Sequence, residues 1–123
     1  MSEDRLTSGV GERVDLRGEI DSMTHQLDRA SADRSARTLL NDPVGLRVVL
    51  VVLKSGARLE RHSAPGRLTI HALDGQVQVS VEEAVQVLDA GQLLTVDAGQ
   101  VHEVTATIPS ALLLTIAGTA ATG

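Results

Sequence analysis

Histidine is the side chain whose ordinary charge change falls nearest neutral pH, and this chain has four, at positions 25, 62, 71 and 102. In the run Ala57 to Ser63, strand alternation puts Arg58, Glu60 and His62 on one face, a guanidinium, a carboxylate and an imidazole together. His102 shares its parity with Val104 and Ala106, so it points inward among apolar groups, either as a hydrogen-bonded core residue or as a ligand. His71 alternates with Thr69 and Leu73, opposite to Leu68 and Ile70. It faces away from a pocket on that side and is better placed for an interface, although one bulge would reverse this. His25 lies in an amphipathic stretch and reads as solvated. Asp97 and Glu103 could serve His102 as general base and acid, but both adjoin turns, where carboxylates are usually hydrated. There is no cysteine, no Gly-x-Ser-x-Gly elbow and no glycine-rich phosphate loop leading into a helix. Thiol chemistry, serine hydrolysis of that type and nucleotide binding through such a loop therefore drop out.

The rest of the composition narrows the partners. The chain has 123 residues, 42% hydrophobic and 22% charged, enough for one domain with one core. It has no Phe, Tyr or Trp, which removes base-stacking platforms and aromatic cages and leaves the core to Val, Leu, Ile and Ala. A net charge of −5 argues against nucleic acid. All the cations but Lys54 are arginines, whose planar fork suits carboxylate or phosphate. The first fifteen residues carry acids and no apolar signal core, and the longest aliphatic run, Val48 to Leu53, is too short to span a bilayer. A cytoplasmic protein without membrane association is expected.

These side chains need elements to position them. Most of the charge lies before residue 43, and nothing after Glu103 is charged. Residues 1–18 read as a disordered tail. Ile20, Met23, Leu27 and Ala30 recur at helical steps within 19–34, giving a helix with one apolar stripe, suited to covering a sheet or a partner subunit. From residue 35 the period becomes two, and turn signals such as Ser55-Gly56, Pro65-Gly66, Asp74-Gly75 and Asp97-Ala98-Gly99 recur every eight to ten residues or so. Strands are expected near 35–40, 46–54, 57–63, 68–73, 76–81, 84–88, 92–96, 101–107 and 111–117. The domain is thus 35–118, all-β, and 119–123 a C-terminal tail.

The segment from Gly56 to Ala106 resembles a cupin, a small antiparallel jelly-roll β-barrel. The first motif of that family is a glycine, five residues, His-x-His, three or four residues, a glutamate, six residues and a glycine. Here Gly56, His62 and Gly75 fall at those intervals, with Ala64 and Leu68 in place of the second histidine and the glutamate. The second motif is a glycine, five residues, Pro-x-Gly, two residues, a histidine, three residues and an asparagine. Gly91, Gly99 and His102 fit it, with Asp97 for the proline and Ala106 for the asparagine. The resemblance implies a cupin-type barrel with a short N-terminal helix and a pocket centred on His62 and His102. Arg58 and Glu60 would share its wall, and Leu68, Ile70 and Ala72 would form an apolar floor.

A cupin's metal is usually held by three histidines and a glutamate, and only two of those positions keep a ligand here. Two imidazoles leave a divalent ion too open, so zinc, iron, manganese or nickel requires a third ligand, for which Glu60 is the candidate. Three functions follow. The first is a binding or sensing barrel without turnover for a small polar or anionic molecule, gripped by imidazole and by Arg58, with Arg67 at the rim. The second is a metal-dependent oxygenase or isomerase using Glu60, His62 and His102. The third is a structural dimer with a vestigial site. A homodimer is expected in any case, because the helix stripe has little to cover and Leu46 to Leu53 is apolar on both faces.

Overall fold

The computed structural model describes residues 11–118; the first ten residues of the expected N-terminal tail and the whole of the expected C-terminal tail, 119–123, lie outside the described residues. Among the described residues a single helix, α1 (Leu16–Asp28), precedes nine strands. These are β1 (Arg34–Asp42), β2 (Leu46–Leu53), β3 (Arg58–His62), β4 (Leu68–Asp74), β5 (Gln76–Val81), β6 (Ala84–Asp89), β7 (Leu93–Val96), β8 (His102–Ala106) and β9 (Ser110–Ala117). Each falls where the period-two runs and turn signals put it. They form two antiparallel sheets, β1-β2-β9-β4-β7 and β3-β8-β5-β6, the expected all-β architecture with a short helix.

The helix begins inside the expected tail and ends well short of residue 34. Asp15 caps it by accepting the Gly18 amide at 3.2 Å, which satisfies an otherwise orphaned donor. At Arg29 the backbone leaves helical geometry, and the Arg29 amide bonds back to Gln26, so Ala30 lies beyond the last turn. What remains of the stripe is Ile20, Met23 and Leu27, all buried.

The core is aliphatic throughout. Val49, Val51 and Leu53 of β2, Ile70 and Ala72 of β4, and Leu112 of β9 face Val77, Val79, Leu88, Val104 and Ala106 of the second sheet. The other face of β2 is equally apolar, and α1 covers it: Ile20, Met23 and Leu27 pack on Leu50, Val52 and Ala111. Two ion pairs hold the helix there, Arg17 to both carboxylate oxygens of Asp74 at 2.8 Å, and Arg37 to Glu19. The two surfaces that argued for a partner subunit, the helix stripe and the two-sided strand, therefore bury each other within one chain. Among the described residues, no helix is long and apolar enough to cross a membrane.

Close backbone approach demands glycine at two turns. Gly75, at φ +82°, has Pro109 O where a Cβ would come within 2.3 Å, and at Gly66 a Cβ would fall 1.5 Å from Ala117 O.

Candidate functional site

The site is built where β3 pairs with β8, and the local register decides its content. Arg58 lies opposite Thr105 and Leu59 opposite Val104, but the next paired residues are His62 and His102. Three steps along β3 thus match two along β8, and the extra residue makes a bulge. Leu59, which packs on the core, and His62, opposite the buried His102, consequently share the inner face. Arg58 takes the outer face with Thr105 and pairs with Glu103. Glu60 is exposed. The expected common face of Arg58, Glu60 and His62 does not form, because alternation holds only along an unbroken ladder.

The two imidazoles meet, as the motif spacing implies. Their ring centroids are 4.2 Å apart and the planes cross at 63°, edge to face. His62 Nδ1 lies 2.6 Å from Glu60 O and His102 Nδ1 lies 3.1 Å from Gln100 O. A carbonyl oxygen can only accept, so each Nδ1 is the donor of its bond, and in the neutral ring Nε2 is the nitrogen with the lone pair. His102 is 2% exposed while His62 is at the surface. Burial pushes the His102 pKa below its ordinary value; the bond to the Gln100 carbonyl works against this, and the neighbouring His62 adds to it. His102 is therefore a neutral imidazole at physiological pH.

The metal implied by the resemblance can be tested on this donor set. Two Nε2 lone pairs are suitable ligands, and backbone bonds at Nδ1 are how ligating histidines are commonly oriented. A catalytic divalent site needs three protein ligands, however, and among the described residues no group of three His, Cys, Asp or Glu is close enough to hold an ion. Glu60 does not complete the set, and Ala64 and Leu68 occupy the other ligand positions of the motif. The residues present do not make a cupin metal centre.

They do make a cavity. A space of about 360 Å³ opens at the barrel mouth between β1, β2, β3 and β9. Val49, Val51, Leu59 and Leu114 form its walls, His62 closes one side, and Arg34 and Arg47 line it as the cations. His102 lies behind His62 rather than on the surface of this space. Leu68, Ile70 and Ala72, expected as its floor, are instead locked into the close-packed core. The arginines expected there, Arg58 and Arg67, are engaged elsewhere with Glu103 and Asp97, the latter pair at 2.8 Å. Those pairs also occupy the two carboxylates considered as acid and base partners of His102. Nothing near Arg34 or Arg47 looks like a motif, so the sequence does not single them out. The one available signal was that Arg47 shares its parity with Val49 and Val51. His71 lies opposite Leu93 and Leu113 on the outer side of its sheet.

A larger space, about 460 Å³, lies between α1 and the end of the first sheet. It carries both signs of charge, Arg17, Lys54, Asp21, Asp28 and Asp74 among them, and the Arg17–Asp74 pair spans it. It has no relation to the histidine pair.

No functionally curated protein matches the chain. Among solved structures, a conserved protein of unknown function from Streptococcus pyogenes is 23% identical with a TM-score of 0.71, each chain covering 88% of the other. A salicylate 1,2-dioxygenase from Pseudoaminobacter salicylatoxidans is 15% identical with a TM-score of 0.69, over 86% of this chain and 32% of that one. An oxalate decarboxylase variant from Bacillus subtilis is 20% identical with a TM-score of 0.65, over 73% of this chain and 26% of that one. At these identities the likeness is one of fold. The profile of the Cupin domain family matches residues 49–116, more than half of the sequence and the whole stretch from β2 nearly to the end of β9; the chain belongs to the cupin family.

Proposed function

We propose that this cupin binds a small polar or anionic molecule at its barrel mouth as a binding or sensing module without turnover. The observation that carries this reading is the cavity itself: an aliphatic pocket with two arginines and an imidazole edge and no carboxylate among its lining residues. A volume of this size lies in the range of small-molecule sites, about 300 to 1,000 Å³, where a few polar groups orient a ligand held on apolar walls. The Nε2 of a neutral His62 can accept from an N–H or O–H of the ligand, and the exposed side chain can be removed without opening the core. The test is a ligand screen by NMR on the wild type and on His62→Ala. Saturable binding that the substitution weakens, with little change in stability, supports the reading; a screen of anionic and polar compounds in which nothing perturbs the cavity refutes it.

The metal-dependent alternative has one observation in its favour, the pair of imidazoles held at Nδ1 with Nε2 free. It lacks a third protein ligand. Elemental analysis of protein purified without a histidine tag separates the readings. Near-stoichiometric zinc, iron, manganese or nickel that survives dialysis favours the enzyme. With Glu60 outside the histidine pair, Glu60→Gln leaves the metal content where it was.

A further inference from the structure

The register of β1 against β2 gives the mouth cavity a long axis. Arg34 lies opposite Leu53 and Arg47 opposite Asn41, so the two arginines mark opposite ends of the strand pair. Arg47 and Leu53 share one side of β2 and are about 20 Å apart at about 3.3 Å per residue, with Val49 and Val51 between them on that side. Both arginines nevertheless line one space of about 360 Å³. It is an elongated trough with a cation at each end.

The rest of the lining sorts along this axis. Ser35, beside Arg34, lies opposite Val52 at the same end of the pair. Ala36 lies opposite Val51, Leu114 opposite Val49, and Leu59 faces them from β3. β3 begins at the Arg34 end, where the Arg58 carbonyl accepts from Arg34 Nη1 at 3.0 Å, and His62 closes the strand four residues on. The same Nη1 meets Asp33 at 3.2 Å, which pins the Arg34 guanidinium in place and leaves Nη2 and Nε with donors to spare. Arg47 is exposed and takes part in none of the ion pairs among the described residues. Charge thus sits at the two ends and the middle is aliphatic.

A ligand that fits has the same order: anion, hydrocarbon, anion. A sugar or nucleotide would lose hydration along the middle without replacement bonds, at a cost for each unmade hydrogen bond. A fatty acid would satisfy one fork and set its methyl end against the other. A nine-carbon dicarboxylate covers about 10 Å when extended, which leaves about 5 Å at each end for an inward-leaning arginine and its bond. Succinate, at about 4 Å, leaves one fork unmet, because Asp33 and the Arg58 carbonyl hold Arg34 at its end. We propose that the trough takes aliphatic α,ω-dicarboxylates of medium chain length, one carboxylate on Arg47, the other on Arg34, and the methylene chain along the Ala, Val and Leu wall between them. This rests on the binding reading above and gives it a ligand class.

Methyl-labelled protein titrated by NMR tests this, because the wall is rich in Val and Leu. Azelate shifts the methyls of Val49, Val51, Leu59 and Leu114 saturably and leaves those of Ile20 and Leu27, beneath α1, unmoved. Nonanoate, with the body and one head, and succinate, with both heads and no body, bind at least tenfold more weakly. Arg47→Gln and Arg34→Gln each weaken azelate about tenfold. Nonanoate can meet either fork by turning end for end, so it loses no more than about threefold in either variant. Nonanoate or succinate binding as tightly as azelate, or an unaltered azelate affinity in either variant, overturns the assignment; the first comparison is made on the wild type and is independent of how the variants fold. If azelate is inert while other polar or anionic fragments shift these methyls, the ligand class falls and the binding reading stands. If no fragment shifts them, both fall.

Discussion

Replacing Met23 by alanine probes whether α1 is an integral layer of this domain. Met23 is 1% exposed and sits at the middle of the three-residue stripe, pressed on Leu50 and Val52 of β2. Truncating a buried methionine costs about 2 to 5 kcal/mol, from lost transfer energy and from the cavity that remains. A helix lying on the outside of a sheet can settle into the gap better than a residue inside the barrel, which puts the expected loss near the lower middle, about 3 kcal/mol. For a domain of this length each kcal/mol moves the melting temperature by about 4 °C, so the drop is about 12 °C. Circular dichroism is the suitable readout, since the chain has no Trp or Tyr for fluorescence. Thr24→Ala, on the exposed side of the same helix, should stay within about 0.5 kcal/mol of wild type. A melting temperature for Met23→Ala within two or three degrees of the control would mean that α1 does not cover β2, and the account of the two-sided strand would fail with it.

Four further outcomes rest on other contacts and surfaces of the domain. Because burial holds the His102 pKa below its ordinary value of about 6.5, the unfolded chain takes up that proton first. Stability from this group is complete above about pH 6.5, declines as pH falls below it, and levels off beneath the folded pKa; urea titrations from pH 8 to 5 should show the slope, and His102→Leu should flatten it. Asp74, whose pKa the Arg17 guanidinium lowers, acts in a separate window: its contribution is present above the ordinary carboxylate range and is lost as pH falls through the folded value. Gly66→Ala forces a Cβ to within 1.5 Å of the Ala117 carbonyl, so β9 must shift or the turn must open; a melting temperature equal to wild type would show that the turn is not packed as described. Among the exposed apolar side chains of the described residues, Val85 and Val87 (62% and 50%) lie together on the edge strand β6, and that edge is the surface we assign to the homodimer expected from the sequence. Light scattering should give twice the 12.9 kDa chain mass, falling to one chain on Val85→Lys with Val87→Lys, and a wild-type monomer at micromolar concentration would remove the idea.

What was legible in the sequence is local. Strand existence follows from alternation such as Val77, Val79, Val81 against Gln76, Gln78, Ser80, and the turns from glycines with backbone reasons for being there, Gly66 and Gly75 above all. The meeting of His62 and His102 was also readable, because motif spacing encodes which positions of two strands come opposite each other, forty residues apart in the chain. The tertiary structure alone decided which side chains join them. One extra residue between Leu59 and His62 turns Arg58 and Glu60 away from the imidazoles, and a bulge of that kind leaves no mark on composition or period. Arg34 and Arg47 line the cavity because β1 and β2 lie beside the barrel mouth, a neighbourhood set by the order of strands in the sheet. The apolar faces of α1 and β2 were each visible, but that they bury one another is a matter of docking. Periodicity states that a face must be covered; only the packed chain determines by what.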